Sequence, residues 1–156
     1  MSRGGALHLL VDGHNVIHQD AALRKLAGEI EDAHAELELL LAERSRIIIF
    51  YDGGPGGQTH TLRRSGLTID YSGASEADDR IVRWLLFNPN LRAMVVSDDR
   101  ALIGRVRTLG AKVMPARGFL ESFRKRTTAA TPDRAPLTSA EVDEWMRIFG
   151  IDDGGT

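Results

Sequence analysis

Acidic side chains recur at one kind of place in this chain of 156 residues. Asp12 follows an apolar run at residues 7–11 (LHLLV), and Asp52 follows a second at 46–51 (RIIIFY). Glu76, Asp78 and Asp79 come soon after a third at 67–71 (LTIDY), and Asp98 and Asp99 follow a fourth at 93–96 (AMVV). Carboxylates gathered together repel one another and resist desolvation. Protonation relieves that repulsion, and so does a divalent cation. Oxygen ligands of this kind favour Mg²⁺ or Mn²⁺, and two such ions can activate a water and stabilise the leaving oxygen of a phosphodiester. Each acid also has an ordinary reading. An Asp after a strand commonly forms a turn or caps a helix. Asp98 or Asp99 could cap a following helix, and Asp78 and Asp79 could complement a helix dipole. Asp20, Asp32 and Asp70 are left to such roles, but four separate acidic run-ends in one small domain favour the metal reading.

Asn15 stands three residues after Asp12 in VDGHN, where Gly13 permits a tight turn. It could orient Asp12, bind a metal-bound water or a phosphate oxygen, or cap the segment that follows. His14 and His18 flank it with no partner at metal-ligand spacing, and read as surface or substrate-side residues. The chain has no cysteine, which excludes a thiolate nucleophile, a disulfide framework, a zinc finger and an iron–sulfur site.

Whether these acids meet depends on the elements between them. Residues 21–42 read as one or two helices with a break at Gly28. Residues 76–87 read as a helix with Ala77, Ile81 and Leu85 on one face, and 100–109 as a helix stopped by Gly110. Residues 112–114 read as a short strand and 118–126 as a short helix. Strands alternating with helices predict an α/β fold, a mostly parallel doubly wound sheet with helices on both faces. The run at 46–51, apolar on both faces, suits a buried parallel strand. Sites in such sheets form at the carboxyl ends of strands, where all four acidic places would converge. Residues 1–126 therefore form the expected domain and 127–137 a polar, proline-containing linker. An amphipathic helix is expected at 138–150, with Thr138 and Glu141 at capping-box spacing and an apolar face of Val142, Trp145, Met146 and Phe149. That helix would pack on its own domain or on a partner.

Length suits a single domain. Hydrophobic content of 42% and charged content of 27% suit a soluble globular protein. The longest apolar run falls far short of the roughly 18 residues that span a bilayer, and Asp12 interrupts any signal-peptide core. A cytoplasmic protein without membrane contact is expected. The formal charge of −2 hides a polarised distribution. Residues 100–126 hold eight basic residues against one acid, while 29–43 hold six acids and no base. Of the 20 basic residues 17 are Arg, which forks onto phosphate oxygens. A basic stretch containing Arg100, Arg105 and Arg117 beside an acidic centre suits RNA as partner; the plainer reading is a solvated face. The segment 53–64 (GGPGGQTHTLRR) lacks the G-K-[ST] ending of a P-loop. It reads as a flap over the site or as a hairpin tip, with His60, Arg63 and Arg64, like His14, in reach of RNA. Tyr51, Tyr71, Trp84, Phe87, Phe119 and Phe123 fall at core-like positions, which leaves no base-stacking platform.

The segments LLVDGHNVI, IIIFYDGGPGG, EADDRIVRWL, MVVSDDRALIGRVRTLGAKV and GFLESF, taken in order over residues 7–123, resemble the NYN branch of PIN-like nucleases. They are most similar to its small bacterial YacP-like group, and EADD also resembles the acidic motif of the related FLAP/5′-nucleases. The resemblance implies a PIN-like fold and a metal-dependent endoribonuclease using Mg²⁺ or Mn²⁺. By position, Asp12 matches the first acidic ligand, Asn15 the accompanying Asn, Asp78 the Asp of the A-D motif, and Asp98 or Asp99 the last acidic position. Asp12, Asn15, Asp78 and Asp98 are thus the expected catalytic residues. Asp52, Glu76 and Asp79 are acidic where only some relatives are, either as ligands or around them. Relatives have been linked to cutting mRNA in association with the translation machinery, which makes mRNA, free or on the ribosome, the expected substrate. The competing reading is a catalytically silent RNA- or ribosome-binding module of the same fold. A small-molecule phosphohydrolase is disfavoured because no D-x-D-x-T nucleophile motif is present.

Overall fold

A computed structural model describes residues 7–26, 28–42 and 46–129. The four apolar runs become strands β1 (His8–Asp12), β2 (Ile47–Tyr51), β4 (Leu67–Ser72) and β5 (Ala93–Val96), joined by β3 (Thr59–Arg64) and β6 (Lys112–Met114). They form one six-stranded sheet in the order β3-β4-β2-β1-β5-β6. Every pairing is parallel except the β3–β4 hairpin. β1 and β2 lie at the centre with both faces covered, which is why neither shows apolar–polar alternation. Alternate residues enter two separate cores. Leu9, Val11, Ile47, Ile49 and Tyr51 pack with residues of α1 (Gly13–Gln19), α2 (Ala21–Lys25), α3 (Ile30–Leu41) and α6 (Ala116–Ala129). Leu10, Ile48, Phe50 and Val95 pack on the other face with Ile81 and Leu85 of α4 (Ala77–Phe87) and Leu102 and Val106 of α5 (Arg100–Thr108). This is the expected doubly wound α/β sheet.

The chain first builds outward from β1 through β2 to β4. α4 then carries it back across the other face to β5, on the opposite side of β1. The direction of winding therefore reverses between β1 and β5, and the crevice at their carboxyl ends is the topological switch point. Asp12 closes β1 at that point, and Ser97, Asp98 and Asp99 follow β5.

Several elements differ from the expectation. Gly13 opens α1 directly after β1 rather than making a tight turn. Its lack of a side chain serves packing, because a Cβ there would lie 2.5 Å from the Tyr51 ring and 3.0 Å from the Phe50 carbonyl oxygen. The segment 53–64 is not a flap throughout, since 59–64 forms edge strand β3. Its side chains are mostly exposed, so it shows no apolar alternation, and polar edges of this kind discourage pairing with other chains. Residues 53–58 form the connection, with a short 3-10 turn at Pro55–Gly57 and a bridge between Gly53 and Gly73. Gly73 has φ +66° and no room for a Cβ against the Gln58 backbone. The break near Gly28 separates α2 from α3 as expected. α6 begins two residues before the expected start and runs to Ala129, into the expected linker. The rest of that linker and the helix at 138–150 lie outside the described residues. Phe87, expected in the core, is 70% exposed. It sits two positions past Leu85 and so points away from the buried Ala77–Ile81–Leu85 face, with the Arg83 guanidinium 5.1 Å from its ring. Among the described residues no helix is long and apolar enough to cross a membrane.

Because the Tyr51 ring is fully buried, it cannot swing away from an added methyl at Gly13. Gly13→Ala is expected to destabilise the fold by about 1–3 kcal/mol through overpacking, read as a lower midpoint in urea. An unchanged midpoint would contradict the close packing of Gly13 on Tyr51.

Candidate functional site

Four carboxylates are buried among the described residues: Asp12, Asp20, Glu38 and Asp70. Three are matched by arginine. Asp20 accepts a hydrogen bond of 2.9 Å from Arg124 and another of 2.9 Å from the Leu23 N–H at the start of α2. Glu38 accepts two from Arg64, of 2.6 and 2.9 Å, and one of 2.9 Å from the Tyr51 hydroxyl. Asp70 accepts two of 2.9 Å from Arg80. These pairs follow the rule that a buried charge needs a partner, and the Arg124 hydrogen bond holds the Asp20 carboxyl below its usual range. Asp12 is different. It is 5% exposed, and it accepts one hydrogen bond, 2.9 Å from the Ser97 hydroxyl. Burial pushes its pKa up to about 7. The Ser97 hydrogen bond opposes that rise, while the charges of Asp78, Asp52 and Asp99 add to it.

The surrounding groups come from four strand ends and two helix starts. Ser97 donates to Asp12 and also accepts the Asp99 N–H at 3.1 Å. Asp99 caps α5, its Oδ1 accepting the N–H groups of Ala101 and Leu102 at 2.9 and 3.2 Å. Asp52 caps α4 from outside. Its Oδ1 accepts the Ala77 N–H at 2.7 Å, whereas Glu76 at the N-cap position makes no side-chain cap bond. Asp78, in the first turn of α4, has its carboxyl pushed up by burial and by the charges of Asp99, Glu76 and Asp52, with Arg105 pulling the other way. Asp12, Asp52, Asp78 and Asp99, with Glu76 beside Asp78, are thus brought together at the sheet edge, as the topology requires.

Other expected site residues have different surroundings. Asp98 turns its Oδ2 to the Ala116 N–H, 3.2 Å away at the start of α6. Its own N–H donates to Asn15 Oδ1 at 2.9 Å, so the Asn15 side chain ties α1 to the β5 end. Asp79 is exposed and paired with Arg105 at 3.3 Å. Arg100 and Arg117 are exposed in the first turns of α5 and α6, whose starts adjoin the acidic edge. His60 is exposed on β3 opposite Tyr71, near the same edge. Arg63 and Arg64 lie at the other end of β3, opposite Thr68 and Leu67. Arg63 bonds back onto its own hairpin at Thr68 and Gly66, and Arg64 clamps Glu38.

Two residues join the site without having been singled out. Ser97 stands in VVSDD but carries no charge to mark it. His34 lies mid-helix in α3, its Nε2 2.9 Å from His14 Nε2, while His14 Nδ1 lies 3.3 Å from Asp52 Oδ2. No spacing in the sequence links residues 20 positions apart on separate helices.

The donor set is entirely oxygen and carries excess negative charge, which suits a hard divalent cation. Among the described residues no three Asp, Glu or His side chains form a ready-made metal-binding group. Mg²⁺ does not need one, because it keeps several waters and is commonly held by one or two carboxylates together with substrate phosphate. Asp12 and Asp78 are best placed for that role, since Asp52, Asp98 and Asp99 use carboxylate oxygens to hold backbone N–H groups.

The fold is similar to two crystal structures of Rae1 (YacP) from Bacillus subtilis. One, a W164L mutant, is 22% identical with a TM-score of 0.62 and matches 92% of each chain. The other is 21% identical with a TM-score of 0.63, over 90% of this chain and 82% of that one. No curated protein has a significant sequence match to the chain. The model of the YacP-like NYN domain matches residues 9–143, which include every residue of the acidic edge, and the chain therefore belongs to the YacP-like NYN domain family.

Proposed function

We propose that this protein is a divalent-metal-dependent endoribonuclease, with the acidic edge between β1 and β5 as its active site. The observation that carries the reading is Asp12. It is a buried carboxylate at the switch point of an α/β sheet, without a cation and surrounded by like charges. Such an arrangement destabilises the fold and is kept where a cationic ligand or a reaction uses it. Membership of the YacP-like NYN family supports nuclease chemistry on RNA.

Asp12 and Asp78 would hold Mg²⁺ or Mn²⁺, with Glu76 at the margin. Bound there, the metal would supply Lewis-acid activation of water and charge neutralisation at the phosphate. The protein's own residues do the rest. Ser97 holds Asp12 through Oδ2 and leaves Oδ1 to serve as the metal-facing oxygen. Asp52 and Asp99 hold the starts of α4 and α5 in place, so the positive ends of both helices face the site. Arg100 and Arg117, exposed beside it, offer forked donors to the RNA backbone, and His60 extends that surface along the β4 end. Backbone contacts of this kind give affinity without sequence preference.

Asp12→Asn and Asp78→Asn are each expected to lower cleavage of single-stranded RNA in Mn²⁺ by about 100-fold or more. Cleavage unchanged in both variants would contradict the assignment. Arg100→Ala with Arg117→Ala is expected to raise KM and flatten its dependence on salt, at near-constant kcat. A fall in kcat alone would place these arginines outside RNA binding.

Asp12 also has a stability signature. Its pKa is about 7 in the folded chain and 3.8 in the unfolded one. The folded state therefore holds the extra proton between those values. This contribution to stability is fully present below about pH 4 and is lost as pH rises through 7. At pH 8 in EDTA, Asp12→Asn is expected to melt about 5 °C or more above the wild type. Mg²⁺ or Mn²⁺ should narrow the gap by raising the wild type alone. A variant that melts lower, or one equally stabilised by metal, would oppose a metal-binding Asp12.

A further inference from the structure

His14 and His34 adjoin the acidic edge and have no part in the chemistry proposed for it. Their Nε2 atoms are 2.9 Å apart, so one ring must donate a proton to the other. On its far side, His14 Nδ1 is 3.3 Å from Asp52 Oδ2. A bare Nδ1 lone pair facing a carboxylate would be repelled, whereas a protonated Nδ1 makes a charge-assisted hydrogen bond. Neutral His14 with its proton on Nδ1 has a bare Nε2, which accepts the Nε2–H of His34. The two contacts together select the Nδ1–H tautomer of His14, which a free side chain disfavours.

His34 is itself held firmly. Its ring stacks on Tyr51 with centroids 3.7 Å apart and an 11° interplanar angle, and lies 5.1 Å from the His14 ring. Tyr51 donates to Glu38, which Arg64 clamps while also bonding the Tyr71 hydroxyl. The groups acting on His34 are thus His14 from α1, Tyr51 from β2, Glu38 from α3 and Arg64 from β3. Burial, with the charge a protonated His14 would carry, lowers the His34 pKa to about 4, so its ring is neutral at physiological pH. At the other end of the chain of contacts, Asp52 Oδ1 holds the Ala77 N–H at the first residue of α4, next to Asp78.

The geometry points to His34 as a positioning residue: from α3 it sets the tautomer and orientation of His14, and through it holds Asp52 against the start of α4, keeping Asp78 beside Asp12. Its effect on turnover rests on the nuclease reading, but its effect on His14 does not.

The test uses the ¹⁵N-labelled full chain at pH 8 without divalent ions, with ring-nitrogen NMR reporting where His14 carries its proton. His34→Phe keeps a ring to stack on Tyr51 but removes the N–H, and His34→Gln restores an N–H donor. His14 is expected to be protonated on Nδ1 in the wild type and in His34→Gln, and on Nε2 in His34→Phe. In Mn²⁺, His34→Phe should lose about 10-fold in kcat for RNA cleavage at near-constant KM, with recovery in His34→Gln. A proton on His14 Nε2 in the wild type, the same tautomer in all three proteins, or a switch in His34→Phe that His34→Gln does not reverse would each overturn the inference. The wild-type spectrum alone can do so should His34→Phe not fold. The expected tautomer switch in a chain that cleaves no RNA would uphold the positioning role and refute the nuclease reading.

Discussion

A buried carboxylate without a cation is the constraint around which this structure is arranged. Asp12 sits buried at the carboxyl end of β1, one of the two central strands. Its neighbours Asp78, Asp52 and Asp99 add negative charge instead of cancelling it. The local compensation is dipolar. The Ser97 hydroxyl donates to Asp12, and the starts of α4 and α5 point toward the edge with Asp52 and Asp99 as their caps. Half-charges at helix ends offset like-charge repulsion only in part. Burial first, with the remaining repulsion added to it, holds Asp12 near pKa 7, the carboxylate on which the proposed metal site rests.

The frame tolerates this strain because the other buried acids are satisfied and join separate elements. Asp20 with Arg124 links the start of α2 to α6. Glu38 with Arg64 links α3 to edge strand β3, and Asp70 with Arg80 links β4 to α4. None of these ties involves Asp12 or Ser97. Where stability is the role, an arginine fork closes the carboxylate. At the proposed metal site, no arginine among the described residues closes the carboxylate. Only the hydroxyl of Ser97, which cannot neutralise a charge, marks the difference at Asp12.

The sheet was legible in the sequence because parallel strands buried on both faces leave uninterrupted apolar runs. LHLLV, RIIIFY and AMVV could be read directly, and the acids that follow them converge as α/β topology demands. Three features were not legible. β3 faces water on an edge, so it carries no apolar pattern. α1 begins within VDGHN with no linker after β1, its N-cap Asp12 makes no side-chain cap bond, and Gly13 is there for the Tyr51 ring rather than for a turn. Phe87 is apolar by type yet faces outward by helical phase. At the site, residue type identified the acidic cluster but not the division of labour within it. Asp98 and Asp99 are adjacent in sequence, yet one turns to the start of α6 and the other caps α5 among the charges acting on Asp12. His34 becomes part of the site only through a ring stack and one hydrogen bond, neither of which leaves a sequence signature.

The most direct measurement is anomalous diffraction from crystals of the full chain soaked in Mn²⁺ at neutral pH. The expected result is an anomalous peak in the crevice between β1 and β5, within about 2.5 Å of Asp12 Oδ1 and of an Asp78 oxygen, absent from crystals of Asp12→Asn. No peak at that edge, or one that persists in the variant, would contradict a metal site built on Asp12.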